Sequence, residues 1–248
     1  MSTDLTLRPA SPDDLPAVAE LHLAARHGAG GAFPPAVHPD DEARAWVAAW
    51  DLGAYDVWVA ERDGAPAGYA RWTATWLDDL YVHPDHQGRG VGTALFELVA
   101  SMRPSGFCLW VFESNAPARG FYRRQGCLEL ERTDGSANEE RAPDIRVAWP
   151  GADPLVFLRG LIDETDLALG DVLARRTALT RAVQSVKPSS ERDPAREAEV
   201  AERVAAVVPE LGGERVARIV DVIITESLAA ARRAPTTDGD DRSRPHRA

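Results

Sequence analysis

The stretch that decides the fold of the first half of the chain reads Leu80-Tyr-Val-His-Pro-Asp-His-Gln-Gly-Arg-Gly-Val-Gly-Thr93. It predicts the end of a strand, a turn with three alternating glycines, and a helix whose apolar residues begin at Val91. Glycines allow the backbone amides of residues 88–93 to approach an anion, and the positive end of the helix dipole lies at the same place. The stretch therefore predicts an anion-binding turn.

Two common phosphate-binding turns do not fit this stretch. A P-loop needs Gly-Lys followed by Ser or Thr, and a dinucleotide-binding turn needs G-x-G-x-x-G, neither of which residues 88–93 supply. A tight turn that binds no ligand remains the alternative to a pyrophosphate site.

The flanking residues indicate an α/β domain. Residues 1–150 alternate between strand-like and helix-like patterns, and Asp63-Gly64 is a strong hairpin signal between two of the strands. The predicted strands are 5–8, 55–61, 67–75, 80–82, 106–112, 128–131 and 145–149, and the predicted helices are 15–21, 91–102 and 116–125.

The last hundred residues show only helical patterns, after a segment of breakers at 150–154. One apolar stripe runs through 155–187 and predicts a helix of roughly 50 Å. Asp193 as N-cap and Pro194 at the first helical position predict a second helix, and a third follows Gly212-Gly213. Because two shorter helices cannot cover the long one, we expect a second copy of the chain to cover it.

Three cations share the apolar stripes of these helices, namely Arg176, Lys187 and Arg196. Burying a cation is costly unless it is paired, so their convergence predicts a small anionic ligand that carries carboxylates. The alternative is that these side chains reach solvent or pair with protein acids such as Asp193 and Glu197.

The composition is that of an ordinary globular protein, with 248 residues, 44% hydrophobic and 27% charged, which suits two domains. A net charge of -11 argues against nucleic acid as a partner. The chain shows neither a membrane-spanning run nor a secretion signal, so we expect a cytoplasmic protein that does not bind membranes. Cys108 and Cys127 stand outside any Cys/His cluster, so no metal is expected. The polar tail at 234–248 is expected to be disordered.

The glycine-rich turn resembles the Q/R-x-x-G-x-G/A motif of the GNAT N-acetyltransferases, which is met here by Gln87, Gly90 and Gly92. Asn115 and the segment 120–126 are similar to the second CoA-binding segment of that family. Two segments in the family's order favour a ligand site over an empty turn.

The resemblance covers most of residues 3–149 and implies a GNAT domain over 1–150, with a mixed, mostly antiparallel sheet flanked by helices. It also implies acetyl-CoA as the cosubstrate for acetylation of a small amine, held where one strand splays from its neighbour. The residues implied to bind acetyl-CoA are Leu80, Tyr81, Val82, Gln87, Gly88, Arg89, Gly90, Val91, Gly92, Thr93 and Asn115.

The reaction also needs groups that move protons and a place for the amine. Tyr122 matches the family's tyrosine that protonates the departing thiolate, although it could equally be a packed aromatic residue. Trp72 and Trp76, together with the early helices, are expected to contact the acceptor.

No base for the amine stands out. Asp78 and Asp79 lie nearest to the predicted splayed strand, although carboxylates just before a strand are usually solvated. His83 and His86 are more typical of loop residues than of bases.

The helical half resembles the AroQ chorismate mutases over about 155–233, and the implied domain is 153–233. The resemblance implies an intertwined homodimer that converts chorismate to prephenate, a step in aromatic amino acid biosynthesis. Arg159 would reach the partner's site, Arg176 and Arg196 would hold carboxylates, Lys187 would contact the ether oxygen and Glu197 the ring hydroxyl. The remaining matched positions are Asp193 and Ser227.

One position departs from the chorismate mutase pattern, and two functional hypotheses follow from it. The family usually places a glutamine or glutamate one turn after its serine, where this chain has Ala231. Losing one donor to a developing oxyanion typically costs about 10² to 10³ in rate. The first hypothesis is a bifunctional acetyltransferase and mutase; the second is an acetyltransferase whose helical half only dimerises or senses chorismate or a relative of it.

Overall fold

The computed structural model describes residues 5–186 and 192–232. Contacts divide the chain into two compact units, Met1–Gly160 and Leu161–Ala248. Lys187 and the expected disordered tail at 234–248 lie outside the described residues.

The first unit is built on two antiparallel sheets, in strand orders β1-β2-β3-β4 and β5-β7-β6. This confirms the predicted α/β class with a mostly antiparallel sheet. The strands are β1 Leu5–Pro9, β2 Asp56–Arg62, β3 Ala65–Trp72, β4 Leu77–Val82, β5 Phe107–Phe112, β6 Leu128–Arg132 and β7 Asp144–Trp149.

Four helices accompany the sheets and three more follow along the described chain. They are α1 Leu15–Gly28, α2 Asp40–Ala48, α3 Val91–Met102, α4 Ala116–Arg124, α5 Pro154–Val186, α6 Pro194–Val207 and α7 Gly213–Arg232. The sequence prediction missed α2, a helix of nine residues whose first turn carries three acids beside the positive end of its dipole.

Local chemistry explains the turns that were predicted. Asp63 and Gly64 both adopt positive φ, at 54° and 78°, as the central residues of a tight hairpin turn do. Asp193 caps α6, because its side chain accepts a hydrogen bond from the backbone N–H of Arg196 at 3.1 Å.

The helices of the first unit cover both faces of the sheets. On one face, α3 contributes Leu95, Phe96 and Val99 to a core that includes Leu109 and Val147. The second core is formed by α1, α2 and the opposite face of β2 and β3; its buried residues are Leu15, Val18, Ala19, Leu21, Val47, Trp50, Val57, Val59 and Tyr69.

In the second unit, α6 and α7 pack through Val216, Val220 and Ile224, which are buried. The long helix α5 keeps its apolar residues exposed; Leu167 is 75% exposed and Leu179 is 63% exposed. The prediction of one long helix is confirmed, and its apolar stripe is left uncovered in a single chain.

The breaker segment at 150–154 precedes α5, which begins at Pro154, whereas the two compact units divide between Gly160 and Leu161. The first turns of α5 belong by contact to the first unit, because Phe157 lies against Gly106. Across the described residues, the helices are too short or too polar to cross a membrane.

We predict that Gly68→Ala destabilises the first unit. A Cβ there would lie 2.9 Å from the Tyr81 carbonyl oxygen and 2.9 Å from Val91 Cγ1, so α3 must shift from β3. The expected cost is about 1 to 3 kcal/mol.

Urea unfolding followed by tryptophan fluorescence measures this, because all seven tryptophans precede residue 150. Gly31→Ala is the matched control: its Cβ would meet open space, and its free energy of unfolding should change by less than about 0.5 kcal/mol. Equal stability of both variants would contradict the proposed packing cause.

Candidate functional site

The strands β4 and β5 meet at one point and then part. Trp76 and Cys108 form an isolated parallel bridge, where the Cys108 N–H donates to the Thr75 carbonyl at 2.9 Å. Beyond it, β4 pairs with β3 and β5 pairs with β7, and no other rung between β4 and β5 occurs in the described residues. Two strand edges with unpaired backbone groups therefore face a common gap.

A cavity of about 1050 Å³ lies at this gap. Its walls come from both strand edges, the glycine-rich turn, α4, the end of α1 and the segment between β6 and β7. The residues that line it include Arg26, Phe33, Asp78, Leu80, Tyr81, Val82, Gln87, Gly88, Gly90, Gly92, Thr93, Trp110, Phe112, Asn115, Tyr122, Arg124 and Glu140.

The glycine turn leaves open space above the start of α3. Gly88 and Gly90 have φ of 71° and 85°, and a Cβ at either position would meet no atom within 4 Å. The Ala94 N–H donates to Gly90 O, so the preceding amides of the first turn have no partner within the helix. Open space beside unpaired amides at a helix N-terminus fits the pyrophosphate of CoA.

Neighbouring side chains fix this turn. Gln87 Nε2 donates to the Val82 carbonyl at 3.2 Å, which ties the turn to the end of β4. Val91 is buried in the core, and the Arg89 carbonyl accepts a hydrogen bond from Arg62 Nη2 at 3.2 Å. Of the residues expected to bind acetyl-CoA, Arg89 and Val91 are not among those that line the cavity.

Asn115 and Tyr122 line the cavity from α4. Asn115 caps this helix, with its Oδ1 accepting from the Ala118 N–H at 3.1 Å. Tyr122 is only 8% exposed, and burial raises the pKa of its phenol well above the ordinary value. The phenol therefore keeps its proton near neutral pH, which suits donation to a thiolate.

The two neighbouring carboxylates have different environments. Both lie within β4 rather than before it. Asp78 lines the cavity, and partial burial raises the pKa of its carboxyl group. Asp79 is buried on the α1 side, where its Oδ2 accepts from Arg71 Nε at 2.5 Å, so the expectation of a solvated carboxylate is wrong for this residue.

A buried histidine lies behind β4. His22 Nδ1 is 2.8 Å from the Tyr69 hydroxyl, and its ring lies 4.7 Å from that of Tyr81. Burial, and next the charges of Arg26 and Arg71, lower the pKa of His22 to about 4. His22 is therefore neutral at physiological pH.

The tryptophans expected at the acceptor have other roles. Trp72 is fully buried in the core beside α3, so that expectation is wrong for it, because its position in β3 turns it inward. Trp76 stacks on Trp110, with ring centroids 6.2 Å apart, and is not among the cavity-lining residues. His83 caps a short 3₁₀ turn, Pro84–His86, and His86 ends it; both are likewise absent from the lining.

In the helical unit, the structure brings Arg176 and Ser227 together. Arg176 Nη1 donates to Ser227 Oγ at 2.7 Å, and Ser227 donates to the Ile223 carbonyl at 2.6 Å. Ser227 is buried and Arg176 is partly buried. This arginine thus meets neutral oxygens between α5 and α7.

Glu197 is already paired in the single chain. Arg192 donates from Nη2 to Glu197 Oε2 at 2.6 Å and to Asp221 Oδ1 at 2.5 Å. All three groups are at least partly exposed. The sequence analysis did not select Arg192. Its position directly before Asp193, the N-cap of α6, was the feature that could have indicated it.

Two of the remaining positions of the helical unit, Arg159 and Arg196, are exposed. Arg196 is exposed and donates to Glu199 Oε2 at 2.8 Å, so the expectation that it faces inward is wrong for the single chain. The Arg196 side chain points along the helix surface because Glu199, one turn further along α6, binds it. Arg159 is exposed on α5. Lys187 lies outside the described residues.

Residues 53–126 match the family model described as acetyltransferase (GNAT) domain, and residues 158–232 match chorismate mutase type II. An L-methionine sulfoximine/L-methionine sulfone acetyltransferase of Salmonella typhimurium is 32% identical over 172 residues, which cover 64% of this chain and 96% of that protein. The chain belongs to the GNAT acetyltransferases.

Further similarities agree with this assignment. Peptidyl-lysine N-acetyltransferase YjaB of Salmonella typhimurium is 37% identical over 95 residues, 38% of this chain and 65% of that protein. The solution structure of apo-form YjaB from Escherichia coli has a TM-score of 0.51 at 23% identity and covers 60% of this chain and 99% of that one. That likeness shows the fold of the acetyltransferase unit.

The acetyltransferase cavity also contains residues that sequence reasoning missed. Arg26 and Phe33 come from the end of α1 and the segment after it, and Glu140 comes from the segment between β6 and β7. No motif or characteristic spacing marks these positions, because the segments that carry them are distant in sequence and meet only after folding.

We predict that the acetyltransferase unit loses stability as pH falls from about 6.5 to about 4. In this window the unfolded chain protonates His22 and the folded chain does not, so the free energy of unfolding falls with pH. The expected loss is about 3 kcal/mol.

The variant His22→Phe should flatten the slope of unfolding free energy against pH in this window, as measured by urea unfolding and tryptophan fluorescence. Asp14, whose pKa is lowered by its hydrogen bonds with Arg8, acts below this window. Asp14→Asn should therefore leave the slope between pH 4 and 6.5 intact; an unchanged slope in His22→Phe would rule out the histidine as its source.

Proposed function

We propose that the first unit transfers an acetyl group from acetyl-CoA to the amino group of a small molecule. The observation that carries the proposal is the gap between β4 and β5, which ends at the glycine turn. The pantetheine arm of CoA would pair with the unpaired backbone of β4, and its pyrophosphate would accept hydrogen bonds from the amides of residues 88–93.

In the proposed reaction, the amine nitrogen attacks the acetyl carbonyl carbon, and the carbon–sulfur bond breaks. One proton leaves the nitrogen and one arrives on sulfur. Asp78 is the proposed acceptor of the first, directly or through water, because it is the carboxylate of β4 that lines the cavity. Tyr122 donates the second, and its burial keeps the phenol protonated until then.

For the helical unit, 153–233, we propose a chorismate mutase that acts as a homodimer. The uncovered apolar stripe of α5 supports pairing with a second copy. Arg176 supports a dianion site, because its described hydrogen-bond acceptors are neutral, leaving its charge for a carboxylate. Chorismate rearranges in one pericyclic step, so positioning and a cation near the ether oxygen suffice.

A second candidate is that this unit binds chorismate without converting it. Ala231 supplies no donor to the ether oxygen. Glu197, the expected partner of the ring hydroxyl, is engaged by Arg192. Both observations favour sensing or dimerisation over catalysis.

Acetyl-CoA should raise the melting temperature of the acetyltransferase unit, and Gly90→Val should abolish the rise. The added side chain would occupy the open space above the turn, and the positive φ of 85° also disfavours a branched residue. The measurement is tryptophan-detected melting with and without acetyl-CoA. Gly31→Ala, at a position that does not line this cavity, should keep the rise. A wild-type melting curve unaffected by acetyl-CoA would contradict the cofactor.

The full chain should form prephenate from chorismate, and Arg176→Ala should lower the rate at least about 100-fold, because a charged partner of the substrate is lost. Arg175→Ala, an exposed neighbour on α5, is the matched control and should retain the rate. Turnover no faster than in buffer, combined with a chorismate-dependent rise in the helical melting temperature, would establish the sensing function instead.

A further inference from the structure

One end of the acetyltransferase cavity has an aromatic wall. The Phe33 ring stacks on Tyr81 at 6.0 Å and meets the edge of Phe112 at 5.9 Å, measured between centroids. These residues come from the segment after α1, from β4 and from β5, so the wall spans the gap between the two diverging strands. Such a wall favours an aromatic or other large apolar group on the acceptor.

A single arginine stands at this wall. Arg26 and Arg124 both line the cavity, but Arg124 belongs to α4, where Gln125 contacts Thr93 beside the glycine turn. Arg26 belongs to α1, and its guanidinium carbon lies 5.1 Å from the centroid of the Phe33 ring. The cation at the aromatic wall is therefore Arg26, which belongs to a different helix from Arg124.

Arg26 retains capacity for an anion. Its Nη2 donates to Glu140 Oε1 at 3.1 Å, and its side chain remains 21% exposed. Arginine has five N–H donors, and this ion pair uses one of them. A planar guanidinium binds carboxylates with good geometry, so a carboxylate on the acceptor would find a matched partner here.

A carboxylate of the protein completes the arrangement. Asp78 lines the same cavity from β4, the strand that would hold the acetyl group. An ammonium group is attracted to this carboxylate and can lose its proton there before attack. The cavity thus offers a cation, an anion and an aromatic wall to one acceptor.

We propose that the acceptor is an amino acid with an aromatic or large apolar body, whose carboxylate binds Arg26 and whose amino group lies at Asp78. The assignment rests on the proposed acetyl transfer and adds the class of acceptor to it. The Arg26–Glu140 pair joins α1 to the segment between β6 and β7 across the cavity, which favours a small molecule over a protein.

The test uses pairs of acceptors in which a carboxamide replaces the carboxylate. Phenylalanine is compared with phenylalaninamide, and 4-(aminomethyl)benzoate with 4-(aminomethyl)benzamide, so that two spacings of amine and carboxylate are sampled. The full chain is assayed for CoA release with acetyl-CoA, and kcat and KM are measured for each acceptor. In at least one pair, the acid should exceed the amide in kcat/KM by at least about tenfold.

Variants distinguish carboxylate binding by Arg26 from a general effect of removing an arginine. Arg26→Gln should raise KM for the preferred acid by about tenfold or more, and by a clearly smaller factor for the matching amide, which has no carboxylate. Arg44→Gln is the matched control, since Arg44 pairs with Glu20 of α1 on the exposed surface and lines neither described cavity. Glu140→Gln keeps Arg26 but frees it from its protein acid, and should lower KM for the acid.

The outcomes distinguish the amino acid assignment from the proposed acetyl transfer on which it rests. Equal or better use of both amides, or a KM for the acid that Arg26→Gln and Glu140→Gln leave unchanged, would overturn the amino acid assignment. Acetyl-CoA binding without release of CoA in the presence of any of these acceptors would also overturn it. Failure to bind acetyl-CoA would instead overturn the proposed acetyl transfer.

Discussion

The divergence of β4 from β5 is the constraint on which the acetyltransferase unit depends. Each strand is paired on its far side, and within the described residues one β-bridge, between Trp76 and Cys108, joins the two sheets. Because backbone groups cost free energy when they are left unpaired and buried, an open gap lined by two strand edges calls for a ligand or water. The glycine turn at the end of β4 extends this gap to an anion site.

Strand alternation then assigns different chemistry to adjacent residues. Asp79 faces α1, where it is paired with Arg71, whose guanidinium lies over the rings of Trp50 and Tyr55. Asp78 has the opposite direction and lines the cavity. A buried ion pair on one side and an available carboxylate on the other are thus produced by one register, and a slip of one residue would exchange them.

The helical unit presents the opposite situation, in which the single chain leaves its main apolar surface uncovered. The stripe of α5 is exposed, while α6 and α7 bury only a small core between them. Arg176 is held by Ser227, whereas Arg192 binds Glu197. A dianion or a second chain would change the surroundings of both arginines, so the charge pairs of this unit respond directly to what covers it.

The sequence by itself determined most of the helices and strands and the resemblance of each half to a known family. Helix α3, the Asp63-Gly64 hairpin and the Asp193 cap depend on a few consecutive residues, whose periodicity and turn chemistry act locally. Only the tertiary structure decided the burial of Trp72, the separate environments of Asp78 and Asp79, and the meeting of Arg26 with Phe33 and Glu140. These features depend on strand register and on which distant segments pack together. A local sequence pattern contains neither, because the groups in contact are far apart along the chain.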